Sequence, residues 1–449
     1  MAVSLRSSKG SLGHVFADEF GAVSNNIYVS CAPAGVGSGA NTGMNTVDFA
    51  IHSILGELKA FERVKLVRPW PAYIDSNERG LSRQKELDNW PMQFDYSMDV
   101  FNDPGTSHCI YWGDFQHGRD YIYRSAERLQ SVLQLNGKQM SFEDSYARCA
   151  DHFLLRSRRL SNDMPEVGSF GGTIFQNGAT DYADPTYRDD LVAIFTNATL
   201  LKLRDPYSAY KASAIRNDFS TSYLGVDPAF LNTPAELLGL VSASPAEAEI
   251  YDGAIGVFLG RSSRSFPWIS LGSFLRRLSR NLRLRSAWIH WERHSGDLLA
   301  NSRRKLQLLV PSLQSIDANV DFTSGDILHS INSCEVVLTD TYHVAVNALV
   351  LGKPCICLYE PAPDAERNAN MGFHISSRDK RMLLYLSYDL SDFLMSTADL
   401  SIRKWRQMKL EHLTNIIKDS RSFENPMNEI AATAKYHREN IKSFIKNWI

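Results

Sequence analysis

The stretch at residues 336–358, VVLTDTYHVAVNALVLGKPCICL, constrains the fold more than any other part of the chain. A short apolar run stops at Thr339, Asp340 and Thr341, and apolar residues then recur at helical spacing as far as a Gly-Lys-Pro break. This pattern predicts a strand, a turn, a helix and a second strand. Because the three polar residues are of the helix-capping type, we expect the positive end of the helix dipole to face the space above the strand. The sequence therefore predicts an anion site there, bordered by these three residues.

His343 falls in the first turn of the predicted helix, beside the predicted anion site. An imidazole is the side chain best able to give or take a proton near neutral pH, so His343 is our candidate catalytic residue. The alternative is structural, because a strand, a turn with a capping aspartate and a helix often follow one another in proteins. Asp340 would then only cap the helix, and His343 would be a histidine of the core.

The composition favours a two-domain globular protein. A chain of 449 residues is too long for one ordinary hydrophobic core. Its formal net charge of −2 argues against a general nucleic-acid binder. The six scattered cysteines lie mostly in apolar runs, which indicates reduced thiols in a cytoplasmic protein and predicts no metal site. No stretch has the ~18 apolar residues of a membrane span, and the first residues lack the apolar core of a signal peptide, so we expect a soluble protein.

Strands and helices alternate along both halves of the chain. In the first half the apolar patterns predict strands at residues 26–32, 64–67, 108–112, 191–196 and 199–203, and a loop at residues 164–184. In the second half they predict strands at residues 254–259 and 287–291, a helix at residues 273–284, another helix after Ser324, and a largely helical segment at residues 379–449. Such alternation is typical of doubly wound α/β sheets, whose ligands bind at the carboxyl ends of the strands.

A proline-marked segment rich in small residues separates the two halves. We divide the chain into an N-terminal α/β domain at residues 1–235, a linker at residues 236–250 and a C-terminal α/β domain at residues 251–449. Whether the terminal helices cross back onto the first domain is left open by the sequence.

Basic side chains follow two predicted strands of the second domain. Arg261 and Arg264 stand with two serines at the end of the first strand, and a guanidinium binds carboxylate or phosphate in a bidentate manner. Arg293 and His294 follow the next strand and form a second pair of candidates for binding the same anion.

The run TDTYHVAVNALVLGKP resembles the C-terminal signature of the polysaccharide pyruvyl transferase family, in which a Ser/Thr-rich turn precedes a His and a helix ending in Gly-x-Pro. RDPYS at residues 204–208 and DPAF at residues 227–230 resemble two further family segments in the same order. Many members have Arg-Leu-His where this chain has Thr341, Tyr342 and His343, and that Arg binds the anion of the donor. Another cation must replace it or the donor differs, and we nominate Arg261 and Arg264.

The resemblance implies two Rossmann-like doubly wound domains that face a cleft, the GT-B-like arrangement. In the first domain of this family, an Asn-x-Gly loop and a Gly-rich turn border the cleft. Asn41 and Asn45 loosely match the loop, and Asp114, His117 and Arg119 stand in the turn, where they can hydrogen-bond sugar hydroxyls. These five residues are the candidates for acceptor binding. The alternatives are a merely flexible connection for the loop and a surface ion pair for Asp114 and Arg119.

By this resemblance, the expected activity is transfer of pyruvate from phosphoenolpyruvate to a sugar or a lipid-linked glycan as a ketal, with His343 as the acid and no cofactor. A GT-B glycosyltransferase that uses a nucleotide sugar is the second hypothesis, and a carbohydrate-binding protein without activity is the third. Arg204 either faces the cleft or pairs with Asp205 or Asp227. The basic helix at residues 273–284 predicts a solvated face, with peripheral contact to the inner membrane as the less favoured alternative.

Overall fold

A computed structural model describes residues 26–31, 42–69, 91–114, 116–135, 137–218, 220–240, 249–260, 266–290, 297–316, 324–360, 379–419 and 421–449. Within these residues the chain forms two α/β lobes, each built on a six-stranded sheet in which every recorded pairing is parallel. The first sheet contains β1 (Asn26–Ser30), β2 (Val64–Arg68), β3 (Asp95–Tyr96), β4 (Thr106–Trp112), β5 (Glu166–Gly172) and β6 (Ala198–Leu203). The second contains β7 (Ala254–Phe258), β8 (Arg285–Trp288), β9 (Leu313–Gln314), β10 (Val336–Thr339), β11 (Cys355–Tyr359) and β12 (Leu394–Ser396).

The two sheets repeat one topology. The strand order is β3-β2-β1-β4-β5-β6 in the first lobe and β12-β11-β10-β7-β8-β9 in the second. Both are doubly wound orders that reverse direction at a switch point, between β1 and β4 in the first lobe and between β7 and β10 in the second. Ligands of such sheets bind in the crevice at the carboxyl ends of the strands beside the switch point. The predicted pair of doubly wound domains is confirmed.

The described helices surround both sheets. In the first lobe they are α1 (Thr42–Leu58), α2 (Arg119–Leu135), α3 (Phe142–Leu154), α4 (Arg156–Leu160), α5 (Ala179–Tyr182), α6 (Pro185–Asn197), α7 (Pro206–Arg216) and α8 (Pro234–Leu238), with 3₁₀ turns at Thr221–Tyr223 and Pro228–Leu231. In the second they are α9 (Trp268–Leu282), α10 (Asp297–Leu309), α11 (Ser324–Ser333), α12 (Tyr342–Val350), α13 (Lys380–Ser387), α14 (Thr397–Ser401), α15 (Arg403–Lys418) and α16 (Arg421–Lys446), with a 3₁₀ turn at Ser391–Phe393. None of the described helices is both long enough and apolar enough to cross a membrane.

Three Asp-Pro steps set helix starts in the first lobe. Asp184, Asp205 and Asp227 each stand at an N-cap, and each carboxylate accepts a backbone N–H two or three residues further on. The proline after each aspartate occupies the first helical position, where its missing N–H costs nothing. The last of these caps brings Asp227 to the edge of the site described below.

Two predicted elements of the first lobe are wrong. Residues 164–184, expected to be a loop, contain β5, which lies between β4 and β6. The strand was not recognised because three of its seven residues are glycines. A Cβ on Gly168 would lie 3.0 Å from the Phe444 ring, so a small residue is required where α16 approaches the strand. Residues 191–196, expected to be a strand, belong to α6. Leu191, Ile194 and Phe195 are buried on one face of that helix, so the apolar run has helical spacing.

The last helix, α16, crosses back from the second lobe to pack against α1 of the first. Arg438 on α16 forms ion pairs with Glu57 and Glu236, and its guanidinium also donates to the Leu231 carbonyl. Helices α11 and α12 of the second lobe also pack against α1, so the two lobes share one continuous apolar core.

Candidate active site between the two lobes

At the switch point of the second sheet, a hydrogen bond joins the residues that follow β7 and β10. Asp340 follows β10, and its Oδ1 accepts the backbone N–H of Gly260, which lies just beyond β7, at 2.7 Å. The Thr341 hydroxyl donates to the same oxygen at 3.1 Å. Asp340 therefore joins the two strand ends through its Oδ1.

The start of helix α12 has no side-chain cap, so the expected capping by this polar trio is wrong. Thr341 stands at the N-cap position without a side-chain bond to the helix, and the Thr339 hydroxyl instead accepts the Thr341 backbone N–H at 3.0 Å. Thr339, Asp340 and Thr341 are all buried. Because Thr341 provides no side-chain cap, the backbone N–H groups of the first turn and the positive end of the dipole favour an anion here.

His343 lies in the first turn of α12, half-buried, where the two lobes meet. Gly43 at the start of α1 lies so close that a Cβ there would be 2.2 Å from Cγ and 2.7 Å from Nδ1 of His343. The Tyr342 ring meets the imidazole edge to face, with 5.3 Å between the ring centroids. The imidazole thus contacts the first lobe at the start of a helix from each lobe, and it is not enclosed in the interior of the second.

A buried polar cluster beside His343 also spans the lobes. Asp227 Oδ2 accepts both Arg204 Nη1 and the Tyr342 hydroxyl, each at 2.9 Å. Burial and the charge of Asp227 raise the pKa of Tyr342 well above its usual value, so the hydroxyl stays protonated and donates. Burial lowers the pKa of Arg204, but Tyr342 and Asp227 outweigh it and raise the pKa, so the guanidinium stays charged. Of the two alternatives for Arg204, the structure shows the ion pair with Asp227.

Two cations that sequence reasoning missed lie at the start of α13. Lys380 Nζ lies 4.5 Å from the centroid of the Tyr342 ring, over its face. Arg381 donates to the backbone carbonyl of Asp340 and forms an ion pair with Asp379. Nothing in the sequence around Asp379 points to the site. These residues reach it only because α13 packs on α12, the helix that carries His343.

A buried ion pair lies at the corresponding end of the first sheet. Arg68, the last residue of β2, donates to Asp48 on α1 at 2.7 Å, and both side chains are buried. Burial raises the pKa of Asp48 to about 6 despite the opposing effect of Arg68. Sequence reasoning missed this pair, for which the only signal is an acidic residue inside the apolar pattern of α1. A carboxyl group with such a pKa can exchange a proton near neutral pH.

Two candidates for acceptor binding lie near the meeting of the lobes. Asn45 on α1 donates to the Ser324 hydroxyl of the second lobe at 3.1 Å. Asp114 lies in the turn after β4, in a left-handed conformation with φ 53°. Its carboxylate lies near Tyr121 and Arg204, and burial together with Asp114 raises the pKa of Tyr121 well above its usual value. Asp114 therefore lies at the first switch point, on the side of the Arg204 cluster.

The other two candidates of the turn lie elsewhere. His117 is buried, and its ring nitrogens lie 3.0 Å from the Phe153 carbonyl and 3.1 Å from the Ser169 hydroxyl. Arg119 pairs with Asp184 at 2.9 Å. His117 thus ties strands and helices of the first core, and Arg119 holds the cap of α6. Neither is directed to the meeting of the lobes, because their hydrogen-bonding groups are taken up within the first lobe.

Five candidates lie outside the described residues: Asn41, Arg261, Arg264, Arg293 and His294. Among the residues that the structure describes, no three His, Cys, Asp or Glu side chains are grouped as a metal ion would require.

Residues 137–360, about half of the chain, match the model of the polysaccharide pyruvyl transferase family. The matched segment contains Arg204, Asp227 and the start of α12 with His343. No curated protein matches this sequence.

Solved structures of two bacterial proteins share the fold. A co-structure of S. aureus MnaA with UDP is 13% identical and has a TM-score of 0.50, with 95% of this chain and 98% of that chain covered. A putative UDP-N-acetylglucosamine 2-epimerase from Listeria monocytogenes is 12% identical and has a TM-score of 0.50, with 94% and 97% covered. At this identity the likeness shows the fold alone, which is the two-lobed GT-B-like arrangement.

Proposed function

Because the chain belongs to the polysaccharide pyruvyl transferase family, we propose that it transfers pyruvate from phosphoenolpyruvate to a sugar and closes a cyclic ketal there. The acceptor is a polysaccharide or a glycan precursor, which includes a lipid-linked glycan. The observation that carries the proposal is the position of His343. It stands at the uncapped start of α12, within the segment that matches the family model, where the two lobes meet.

In the proposed reaction His343 is the general acid. It gives a proton to the methylene carbon of phosphoenolpyruvate, which leaves C2 electron-poor and open to attack. A sugar hydroxyl then forms a C–O bond to C2, and its proton returns to the imidazole. The bond from C2 to the phosphate oxygen breaks, and a second hydroxyl of the sugar closes the ring. Its proton leaves with inorganic phosphate, so one phosphate is released for each ketal formed.

The donor carries two anionic groups, which require cations and N–H donors. We propose that the backbone N–H groups at the start of α12 bind one of them, beside Thr339, Asp340 and Thr341. Lys380, which reaches over the Tyr342 ring, is the described cation best placed to supply the charge of the Arg that other members carry at residue 341. Arg261, Arg264, Arg293 and His294 stay candidates for the same task, since they follow strands of the second sheet.

The acceptor belongs on the side of the first lobe. Asn45 and Asp114 lie near the meeting of the lobes and offer an amide and a carboxylate to sugar hydroxyls. Asn41 precedes the same helix start as Asn45. We do not assign His117 or Arg119 to the acceptor site, because their polar groups are taken up within the first lobe. Phosphoenolpyruvate is a co-substrate, and the proposed reaction requires no cofactor.

The cysteines bear on where the reaction takes place. All six are buried thiols without a disulfide, which is typical of a reducing compartment. We therefore propose that the protein acts in the cytoplasm.

Release of phosphate from phosphoenolpyruvate in the presence of candidate glycans tests this function. The native chain should release phosphate only when donor and acceptor are both present, and mass spectrometry should find a pyruvate ketal on the glycan. His343→Ala should lower the rate by 10²–10⁴, the usual contribution of a general acid. His412→Ala is the matched control, because His412 is an exposed histidine of the second lobe that pairs with Asp392. Equal rates for both variants would exclude His343 as the acid.

The second candidate is a glycosyltransferase that uses a nucleotide sugar. Glu360 directly follows β11 at the carboxyl edge of the second sheet, where a carboxylate can bind a ribose in doubly wound folds. Thermal stabilisation separates the two candidates, because a ligand at a hundredfold its Kd adds about 2.7 kcal/mol. Stabilisation by UDP-, GDP- or CMP-sugars without stabilisation by phosphoenolpyruvate would favour the glycosyltransferase.

A further inference from the structure

Three neighbouring helices form the outer layer of the second lobe. Helix α9 packs against α10 on one side and α15 on the other, and Arg277 on α9 donates to Gln407 on α15 at 2.6 Å. The helices that contact the first lobe, α11 and α12, connect strands in the opposite direction along the sheet. Because such connections are right-handed, α9 and α10 cover the face of the sheet opposite to α11 and α12. The outer layer therefore faces away from the first lobe.

Each helix of this layer has an exposed stripe that contains both cations and at least one large apolar side chain. On α9 the stripe is Ile269, Arg276 and Arg280, which recur at i, i+7 and i+11 opposite the buried leucines. On α15 it is Lys404, Trp405 and Met408, and on α10 it is Arg304, Lys305 and Leu308. We call these three stripes together the basic–apolar face.

The exposed fractions show that the apolar side chains project into solvent. Leu308 is 82% exposed, Ile269 78%, Trp405 52% and Met408 50%. Single exposed apolar residues are normal on a protein surface, but four of them among five cations on three adjoining helices match the mixed basic and apolar surface that binds anionic lipid.

The cations of this face are not neutralised within the described part of the chain. Among the described residues, no carboxylate is recorded within 4 Å of any of its five Lys and Arg side chains. The exposed Glu411 on α15 accepts a hydrogen bond from Gln407 at 2.6 Å. Asp392 lies 2.8 Å from His412. The face therefore presents a net positive charge to its surroundings.

We propose that the basic–apolar face is the surface by which the protein docks on an anionic lipid bilayer. The Lys and Arg side chains attract anionic headgroups, while Trp405, Ile269 and the other apolar side chains enter the boundary with the acyl chains. A second copy of this chain fits poorly, because two such faces would bring like charges together. A soluble polyanion would use the cations and leave the apolar side chains exposed. This inference is independent of the proposed reaction, because binding to a bilayer does not involve phosphoenolpyruvate.

Vesicle flotation at low salt tests the proposal. Vesicles with about a third phosphatidylglycerol should retain the full-length protein, and vesicles of phosphatidylcholine alone should not. Each neutralised cation near an anionic surface weakens binding by roughly fivefold, so the triple variant Arg276→Gln, Arg280→Gln and Lys404→Gln should bind about a hundredfold more weakly. The control is a triple Arg→Gln variant at exposed positions of the first lobe, which should bind as the native chain does; its positions are Arg63, Arg128 and Arg188.

Quenching by brominated phosphatidylglycerol tests whether the apolar side chains enter the bilayer. The native chain should lose tryptophan fluorescence on binding, and Trp405→Phe should lose a smaller part of it. Equal binding of both triple variants would overturn the proposal. If the protein binds a soluble anionic polysaccharide and the vesicles do not quench its tryptophan fluorescence, the partner of this face is a polyanion and not a bilayer. If the native chain is a dimer in solution and the triple variant of the basic–apolar face is a monomer, this face binds a second copy of the chain and not a bilayer.

Discussion

Replacing Gly43 by Ala tests the contact that holds His343 between the lobes. A Cβ at residue 43 would lie 2.2 Å from Cγ of His343, whereas carbon atoms in contact are about 3.5 Å apart. The imidazole or the start of α1 must therefore move by roughly 1.3 Å. A catalytic group displaced by about 1 Å can lose on the order of 100-fold in rate, and overpacking costs about 1–3 kcal/mol of stability. We therefore expect Gly43→Ala to lower the rate on the order of 100-fold and the free energy of unfolding by about 1–3 kcal/mol.

The matched control for this substitution lies in the same helix. Gly56 is exposed, and a Cβ there would meet only the Phe61 ring, at an ordinary contact distance of 3.7 Å. Gly56→Ala should therefore raise the free energy of unfolding by about 0.5–1 kcal/mol, because Ala restricts the unfolded chain, and leave activity unchanged. The two quantities are measured by urea unfolding and by phosphate release from phosphoenolpyruvate.

A double variant separates the packing effect from the catalytic one. Gly43→Ala combined with His343→Ala removes the imidazole that the new methyl group would strike. We expect the double variant to recover most of the stability lost by Gly43→Ala but none of the activity. If Gly43→Ala keeps native activity and native stability, the close approach of α1 to His343 does not exist in solution and this reasoning fails.

Three further predictions concern stability, each measured by urea unfolding. Tyr342→Phe removes the hydroxyl that donates to Asp227 and should cost about 1.5–3 kcal/mol, the usual value for a hydrogen bond to a charged group. Arg438→Met should cost about 2 kcal/mol, because α16 loses its ion pairs to the first lobe. Burial lowers the pKa of both His117 and His152 to about 4. Their neutral forms stabilise the fold above pH 6.5, and the free energy of unfolding should fall by several kcal/mol as the pH drops from 6.5 towards 4.

Native stability of Tyr342→Phe would mean that water replaces the hydroxyl. If Arg438→Met unfolds like Lys435→Met, an exposed control on the same helix, the ion pairs contribute nothing measurable. The prediction fails if the free energy of unfolding stays constant between pH 6.5 and 4. It also fails if the free energy of unfolding of His117→Gln depends on pH as steeply as that of the native chain.

The fold class could be predicted from the sequence because the periodicity of apolar residues distinguishes buried strands from helices. Residues 336–358 form the strand, turn, helix and strand that the pattern indicates, since buried parallel strands and helix faces leave a readable apolar signal. The same rule failed at β5, whose glycines make room for Phe444, and at α6, where an Asp-Pro cap outweighs a strand-like run. In both places the decisive contact or cap lies outside the local apolar pattern.

The site was less predictable than the fold because it is assembled from distant segments. Lys380 reaches Tyr342 across the packing of two helices, and the Asp48–Arg68 pair joins residues on separate elements. His117 was predicted to bind the acceptor, but its ring nitrogens contact the Phe153 carbonyl and the Ser169 hydroxyl of β5. The contact with Ser169 could not be expected from the sequence, because β5 was predicted to be a loop.

Within the described residues, the return of α16 brings this helix beside the last segment of the first lobe. The chain leaves the first lobe near the 3₁₀ turn at Pro228–Leu231 and α8, and Arg438 on α16 contacts both Leu231 and Glu236 there. Two connections that lie close together restrict the separation of two lobes more than their rotation about the connections. Substrates should therefore enter by a pivoting motion whose axis runs past Arg438, and a cross-link placed at that axis should leave turnover intact.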